Sequence, residues 1–202
     1  MDESIEYSDD FMKSLGFQHI KVAARQSIAV VKASREGRRP LLFTKWPKLN
    51  RQLLGGFQPG KMYVIGGRPG TGKSAFSNQM IFDILDNAKL MNMKLVVFYW
   101  SFEMPGYQQL LRSASKDTKK DMATLYSVEQ QLTENSFQAF IKSVSKYMKY
   151  PVYFMNKART AKQIRLACEK FNAKHPDTYI MNVIDHSRLV PGQEDQELQR
   201  LN

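Results

Sequence analysis

One segment of eight residues constrains the fold of this chain more than any other part of its sequence. It reads Gly67, Arg68, Pro69, Gly70, Thr71, Gly72, Lys73 and Ser74. An apolar run at 62–66, interpreted as a strand, comes before it, and a helical apolar pattern follows it. Between a strand and a helix, this spacing forms a loop that binds phosphate through backbone N–H groups and the helix dipole. We therefore expect these residues to bind a nucleoside triphosphate, with Lys73 reaching its β- and γ-phosphates and Ser74 binding Mg²⁺.

Two acidic residues follow other apolar runs and are the candidates for completing this site. A phosphate-binding loop needs a carboxylate at the end of another strand to hold the Mg²⁺ shell, and Asp185 directly follows the run 182–184. Hydrolysis also needs a group that orients or deprotonates the attacking water. Glu103 comes just after the run 95–100 and is predicted to be this base. His186, next to Asp185, is expected to pack or to support the site from behind.

Strand-like and helix-like patterns alternate along most of the chain. Apolar runs at 62–66, 95–100, 151–155 and 179–184 are separated by stretches with helical periodicity. Such alternation predicts an α/β fold with a mainly parallel sheet flanked by helices. The runs at 95–100 and 179–184 are nearly unbroken, so we expect both strands to be buried.

The helical stretches carry recognisable start signals. Thr133 is a predicted N-cap, and Thr160 with Gln163 has the spacing of a capping box. A basic stretch at 107–126 is predicted to be helical. The helix that Thr133 begins is expected to present one apolar face, made of Phe137, Phe140, Ile141, Val144 and Met148.

Composition limits the class of protein and its partners. Thirty Lys and Arg against nineteen Asp and Glu give a net charge of +11, which favours contact with nucleic acid phosphates or anionic lipid. The single cysteine excludes an internal disulfide and a cysteine-cluster metal site. No run approaches the roughly 20 apolar residues of a membrane span, and the acidic start is unlike a signal peptide. We expect a cytoplasmic protein that does not bind a membrane.

The beginning of the chain is predicted to be separate from the nucleotide-binding part. Residues 1–16 are expected to be a mobile, acidic N-terminus. Residues 17–40 are expected to be an amphipathic helix and a hinge, and this helix either packs on its own domain or docks on a neighbouring subunit. Residues 41–202 are expected to form the ATPase domain.

With these sites in order, residues 17–190 resemble the motor domain of hexameric replicative DNA helicases of the DnaB type, which have a RecA-like core. The marks are the turn-rich segment 49–60, the phosphate-binding loop, the segment 101–105, which is similar to the family's S-L-E-M-P, and an arginine at Arg112. The strand 151–154 matches as well, and the segment 183–186 resembles the family's V-I-D-Y, with His186 in place of its tyrosine.

This resemblance implies a function and assigns residue roles. The chain would bind and hydrolyse ATP with Mg²⁺ to drive the unwinding of DNA, with Glu103 as the base and Asp185 as the Walker B carboxylate. Single-stranded DNA is the implied partner, and the helix at 17–40 looks like the linker helix through which such motors assemble into a ring. The implied location is the cytoplasm of a bacterial cell or a phage-infected host.

The DnaB-type motor has several further features after the position of Asp185, and these give another expectation. The family's later strands, DNA-contacting loop, γ-phosphate-sensing glutamine and arginine finger have no counterpart here, so we expect a partial core, from a fragment or a split protein, with weak or no turnover alone. Two alternatives stay open at this point. One is a recombinase-like or clock-type ATPase with a RecA core, and the other is a non-catalytic module that binds nucleic acid or joins a larger ring.

Overall fold

Two compact units make up the chain in the computed structural model, residues 1–41 and 42–202, and the structure describes residues 9–157 and 159–185. The first unit contains helix α1 (Asp9–Ser14), in the acidic segment, and helix α2 (Ile20–Arg35). Helix α2 confirms the helix predicted in this region. None of its residues is buried, and Ile20, Ile28 and Val31 are each more than two thirds exposed.

The second unit alternates helices and strands. Its elements are α3 (Pro47–Gln52), α4 (Lys73–Leu90), β1 (Leu95–Ser101), α5 (Gly106–Thr118), α6 (Met122–Tyr126), α7 (Glu134–Tyr147), β2 (Val152–Met155), α8 (Ala161–Lys174) and β3 (Tyr179–Asp185). In the described part of the chain, none of the helices combines the length and the apolar character needed to cross a bilayer.

The three strands form a parallel sheet in the order β2-β1-β3. Six of the seven residues of β1 are buried, because this strand lies in the middle of the sheet. The predicted α/β fold with a parallel sheet is therefore confirmed. Strands β1 and β3 pair along their whole length, with Leu95 opposite Tyr179 and Ser101 opposite Asp185.

Helices cover both faces of this sheet. On one face, α4 contributes Ile81, Ile84 and Leu85 to a hydrophobic core that also contains Val97 and Tyr99 of β1. On the other face, the ring of Phe171 in α8 packs edge-on against Phe98, with 5.3 Å between the ring centroids. The alternation of side chains along β1 thus divides the core into two layers.

The predicted helix signals are confirmed where caps were expected. Thr133 accepts a hydrogen bond from the backbone N–H of Ser136, and Thr160 and Gln163 form a reciprocal capping box at the start of α8. The basic stretch at 107–126 forms two helices rather than one, because Lys119 adopts a left-handed conformation (φ 53°) that ends α5.

Two other expectations were wrong. The run at 62–66 is not a strand and pairs with no described strand; Met62 and Val64 are 89% and 82% exposed. An apolar run predicts an extended backbone, but a strand also needs a neighbour with which to form hydrogen bonds. Strand β3 has no buried residue, because only β1 pairs with it among the described strands.

The apolar face predicted for α7 is only partly covered. Phe137, Ile141 and Met148 are exposed, whereas Phe140 and Val144 are half-buried. Ser143 and Tyr147 lie on the same side as these two and donate hydrogen bonds to Asp117 of α5 at 3.0 and 2.9 Å. The helix therefore packs through one edge of its apolar face, beside its polar contacts to α5.

Candidate nucleotide-binding site

The predicted phosphate-binding loop leads into α4, as expected, but the run 62–66 that comes before it is not the predicted strand. Gly70 and Gly72 have φ angles of 78° and 88°, which side chains with a Cβ rarely adopt, and Gly72 is the N-cap of α4. A Cβ on Gly67 would come within 2.8 Å of the Thr71 hydroxyl oxygen. Glycine is needed at these positions by conformation or by space.

Lys73, the first residue of α4, reaches back across this loop. Its Nζ donates hydrogen bonds to the carbonyl oxygens of Gly67 and Arg68, each at 3.0 Å. Thr71 Oγ1 donates to the same Arg68 carbonyl at 2.8 Å. The ammonium group therefore lies against the loop at the N-terminus of α4, where the helix dipole also favours an anion. Ser74 follows it in the first turn and is partly exposed.

Glu103 lies on a turn at the carboxyl end of β1. The hydroxyl of Ser101 donates a hydrogen bond to the carbonyl oxygen of Met104, which closes the turn around Phe102 and Glu103. Glu103 is exposed. Because Ser101 lies opposite Asp185 in the parallel register, the turn and Asp185 lie at the same edge of the sheet.

Asp185 is the last residue of β3, and two buried side chains hold it from inside the domain. The hydroxyl of Tyr99 and the Nε2 of Gln109 each donate to its Oδ2, at 3.3 Å. Burial and, secondly, the charge of Asp185 raise the pKa of Tyr99 well above its ordinary value, so this hydroxyl stays a donor. His186 lies outside the described residues.

Gln109 and its partner Asn78 contact the candidate site, and sequence reasoning missed them. Asn78, in α4, donates from Nδ2 to the Oε1 of Gln109 at 2.9 Å, so α4 is linked to Asp185 through one amide. Gly106, Gln109, Ser113 and Ala114 are the buried residues of α5. This face consists of small residues and one glutamine, so no apolar pattern marked it as buried in the sequence.

Comparison with known proteins identifies the family. The sequence profile of the DnaB-like helicase C terminal domain matches residues 42–202. The chain belongs to this family. Replicative DNA helicase DnaB of Nostoc sp. is 24% identical over 151 residues, which are 74% of this chain and 16% of that protein. DNA repair protein RadA of Halalkalibacterium halodurans is 37% identical over 92 residues, or 46% of this chain and 18% of that protein.

The fold is also that of solved helicase ATPase domains. The ATPase domain of G40P superposes with a TM-score of 0.68 and 16% identity, over 84% of this chain and 58% of that one. The RecA-like fold expected from the sequence is therefore confirmed. This member of the DnaB-like family spans less than a fifth of the length of these curated relatives and somewhat more than half of the solved ATPase domain.

Proposed function

We propose that the chain is the ATP-binding and hydrolysing motor part of a replicative DNA helicase. The observation that carries this proposal is the glycine loop at the N-terminus of α4, with the Lys73 ammonium group held against it, in a member of the DnaB-like family. Phosphate groups are strongly negative, and this loop offers them a fixed positive charge and a helix N-terminus.

The proposed chemistry assigns one role to each predicted residue. Residues 67–74 bind the triphosphate, Ser74 and Asp185 hold Mg²⁺, and Glu103 orients or deprotonates the water that attacks the γ-phosphate. When bound, Mg²⁺ would neutralise the charge that develops on the phosphate oxygens. The shared sheet edge of Glu103 and Asp185 supports this assignment, because the two carboxylates then act on one ligand.

The proposed partners are single-stranded DNA and other copies of the protein. The net charge of +11 supports contact with a phosphate backbone. The exposed apolar residues of α2 support assembly into a ring through this helix, as the DnaB-type resemblance implies.

Nucleotide binding by a Lys73→Ala variant tests the proposed function. The hydrogen bonds of a charged group to phosphate contribute about 1.5–3 kcal/mol, so ATP affinity should fall about tenfold to a hundredfold. Titration with a fluorescent ATP analogue in the presence of Mg²⁺ measures this change. Lys89→Ala, an exposed lysine in the last turn of the same helix, is the matched control and should keep the affinity of the unaltered chain.

Equal affinity in the Lys73→Ala variant and the unaltered chain would reject the helicase motor and also the recombinase-like ATPase. The non-catalytic module, which binds nucleic acid through its charge or joins a larger ring, would then be the better description.

A recombinase-like ATPase is the second candidate, and the similarity to DNA repair protein RadA favours it. Its phosphate-binding loop and Asp185 would act in the same way, so nucleotide binding does not separate the two. The separating measurement uses the whole protein that contains this chain: a helicase unwinds a forked duplex, whereas a recombinase pairs homologous strands.

A further inference from the structure

Gln109 connects three parts of the proposed site through one buried amide group. The residue is only 2% exposed. Its Oε1 accepts from Asn78 in α4 at 2.9 Å, and its Nε2 donates to Asp185 Oδ2 at 3.3 Å and lies 3.5 Å from the hydroxyl of Ser101. These partners belong to the helix that carries Lys73 and Ser74, to the end of β3, and to the turn that carries Glu103.

The position of Asn78 makes this connection specific to the metal side of the site. Asn78 is four residues after Ser74 in α4, so the two residues lie on the same face of the helix, one turn apart. The path from Ser74 to Asp185 therefore runs along one helical turn and then through the Gln109 amide. The two residues on this path between Ser74 and Asp185 are Asn78 and Gln109, and both are buried.

The hydrogen bonds also fix how the carboxylate of Asp185 is turned. Both donors described for this residue, Tyr99 and Gln109, bond to the same oxygen, Oδ2. Groups that hold a metal-binding carboxylate from behind set its orientation, and their loss weakens metal binding about 10- to 100-fold.

We propose that Gln109 is a positioning residue, which holds Asp185 at a set place relative to the phosphate-binding helix and thereby determines how much Mg²⁺ strengthens nucleotide binding. The inference rests on the proposed function, since it assumes that ATP and Mg²⁺ bind at this site. Gln109 acts through Asp185 and does not itself contact the nucleotide.

A Gln109→Leu variant of the whole chain tests this inference. The affinity for a fluorescent ATP analogue is measured with Mg²⁺ and with EDTA, and the ratio of the two affinities gives the effect of the metal. We expect this ratio to fall about tenfold in the variant, while the affinity in EDTA is unchanged. Gln108→Leu, the same substitution at the neighbouring position, is the control and should keep the ratio of the unaltered chain.

A double variant, Asn78→Leu with Gln109→Leu, separates positioning from folding. Gln109→Leu alone leaves the Asn78 amide buried without its partner, which is destabilising, whereas replacing both residues removes that defect. We expect the double variant to unfold at nearly the temperature of the unaltered chain and still to show the reduced metal ratio. It also provides the measurement if the single variant does not fold.

Three results would contradict the inference. If the double variant recovered both its stability and the normal ratio of affinities with Mg²⁺ and with EDTA, Gln109 would have only a structural role. A normal ratio in Gln109→Leu would reject the inference and leave the proposed function intact. A lack of nucleotide binding by the unaltered chain would reject the proposed function and this inference together.

Discussion

Glu103 occupies a turn that its own neighbours hold in shape. The Ser101 hydroxyl bonds to the Met104 carbonyl across the turn, and Ser101 is also within 3.5 Å of the Gln109 amide. The carboxylate itself is exposed. A fixed backbone with an exposed acid is suited to a residue that must meet water at a defined place, which is what general-base catalysis needs.

Replacing the proposed base should remove turnover without removing binding. Glu103→Gln keeps the size of the side chain but cannot accept a proton, and a general base contributes about 10²–10⁴ to the rate. Phosphate release is measured in a single turnover, with the whole protein that contains this chain in excess over ATP. Glu129→Gln, an exposed glutamate elsewhere, should change neither rate nor affinity, and equal slowing in both variants would argue against a role for Glu103.

At this scale, sequence predicts the residues that belong to contiguous patterns. Glu103 and Asp185 follow apolar runs that form paired strands, which reveals their place at one edge of the sheet, whereas the loop 67–74 is marked by its glycine spacing before α4. Gln109 and Tyr99 could not be assigned in this way, because their shared partner Asp185 is more than seventy residues away in the chain. A lone glutamine in a helix is ordinarily exposed, and only the fold shows that this one is buried.

The ends of the helices are specified by the chain more firmly than the places of the strands. The capping box of α8 satisfies two backbone N–H groups that the helix leaves free, through reciprocal bonds of Thr160 and Gln163. These bonds need only four consecutive residues, so both the position and the type of the cap were predictable.

Removing this cap gives a stability prediction. Thr160→Ala should lower the free energy of unfolding by about 1 kcal/mol, because the N–H of Gln163 loses its acceptor. Urea unfolding monitored by circular dichroism measures the difference. Thr160→Ser retains the hydroxyl and should behave like the unaltered chain; equal loss in both variants would mean that packing of the threonine methyl group, and not the cap, is responsible.

Strand neighbours were the part of the fold that sequence could not supply. The run at 62–66 and strand β3 have similar apolar character, yet β3 pairs with β1 and the run pairs with no described strand. Which strands become neighbours depends on the whole set of elements and not on the local pattern. The same reason explains why β3 was expected to be buried and is half exposed instead.

The whole molecule combines a high positive charge with an amphipathic helix, α2, that has no buried residue. Copies carrying +11 repel each other at low salt, and added salt screens that repulsion. Three large aliphatic residues of α2, Ile20, Ile28 and Val31, point to the same side of the helix at 3.6 residues per turn. Burying each of them contributes about 1.5 kcal/mol or more.

Self-association through α2 can be tested directly. The chain should sediment as a larger species as its concentration rises, more so with added salt, whereas the triple variant of Ile20, Ile28 and Val31 to Ser should remain monomeric. Analytical ultracentrifugation measures both. A control with Gln26, Ala29 and Ala33 changed to Ser alters the opposite side of the helix and should still associate; association of both variants alike would exclude the apolar side of α2 as the contact.

The two hydrogen bonds of Lys73 to its own loop would make the proposed nucleotide binding an exchange rather than a simple addition. A phosphate that recruits this ammonium group competes with the carbonyls of Gly67 and Arg68, which already occupy it. The free energy of binding would therefore reflect the difference between the hydrogen bonds of Lys73 to phosphate and its hydrogen bonds to the loop carbonyls. The same internal bonds hold the loop in shape without a ligand, so a nucleotide that binds there would meet a backbone that is already ordered.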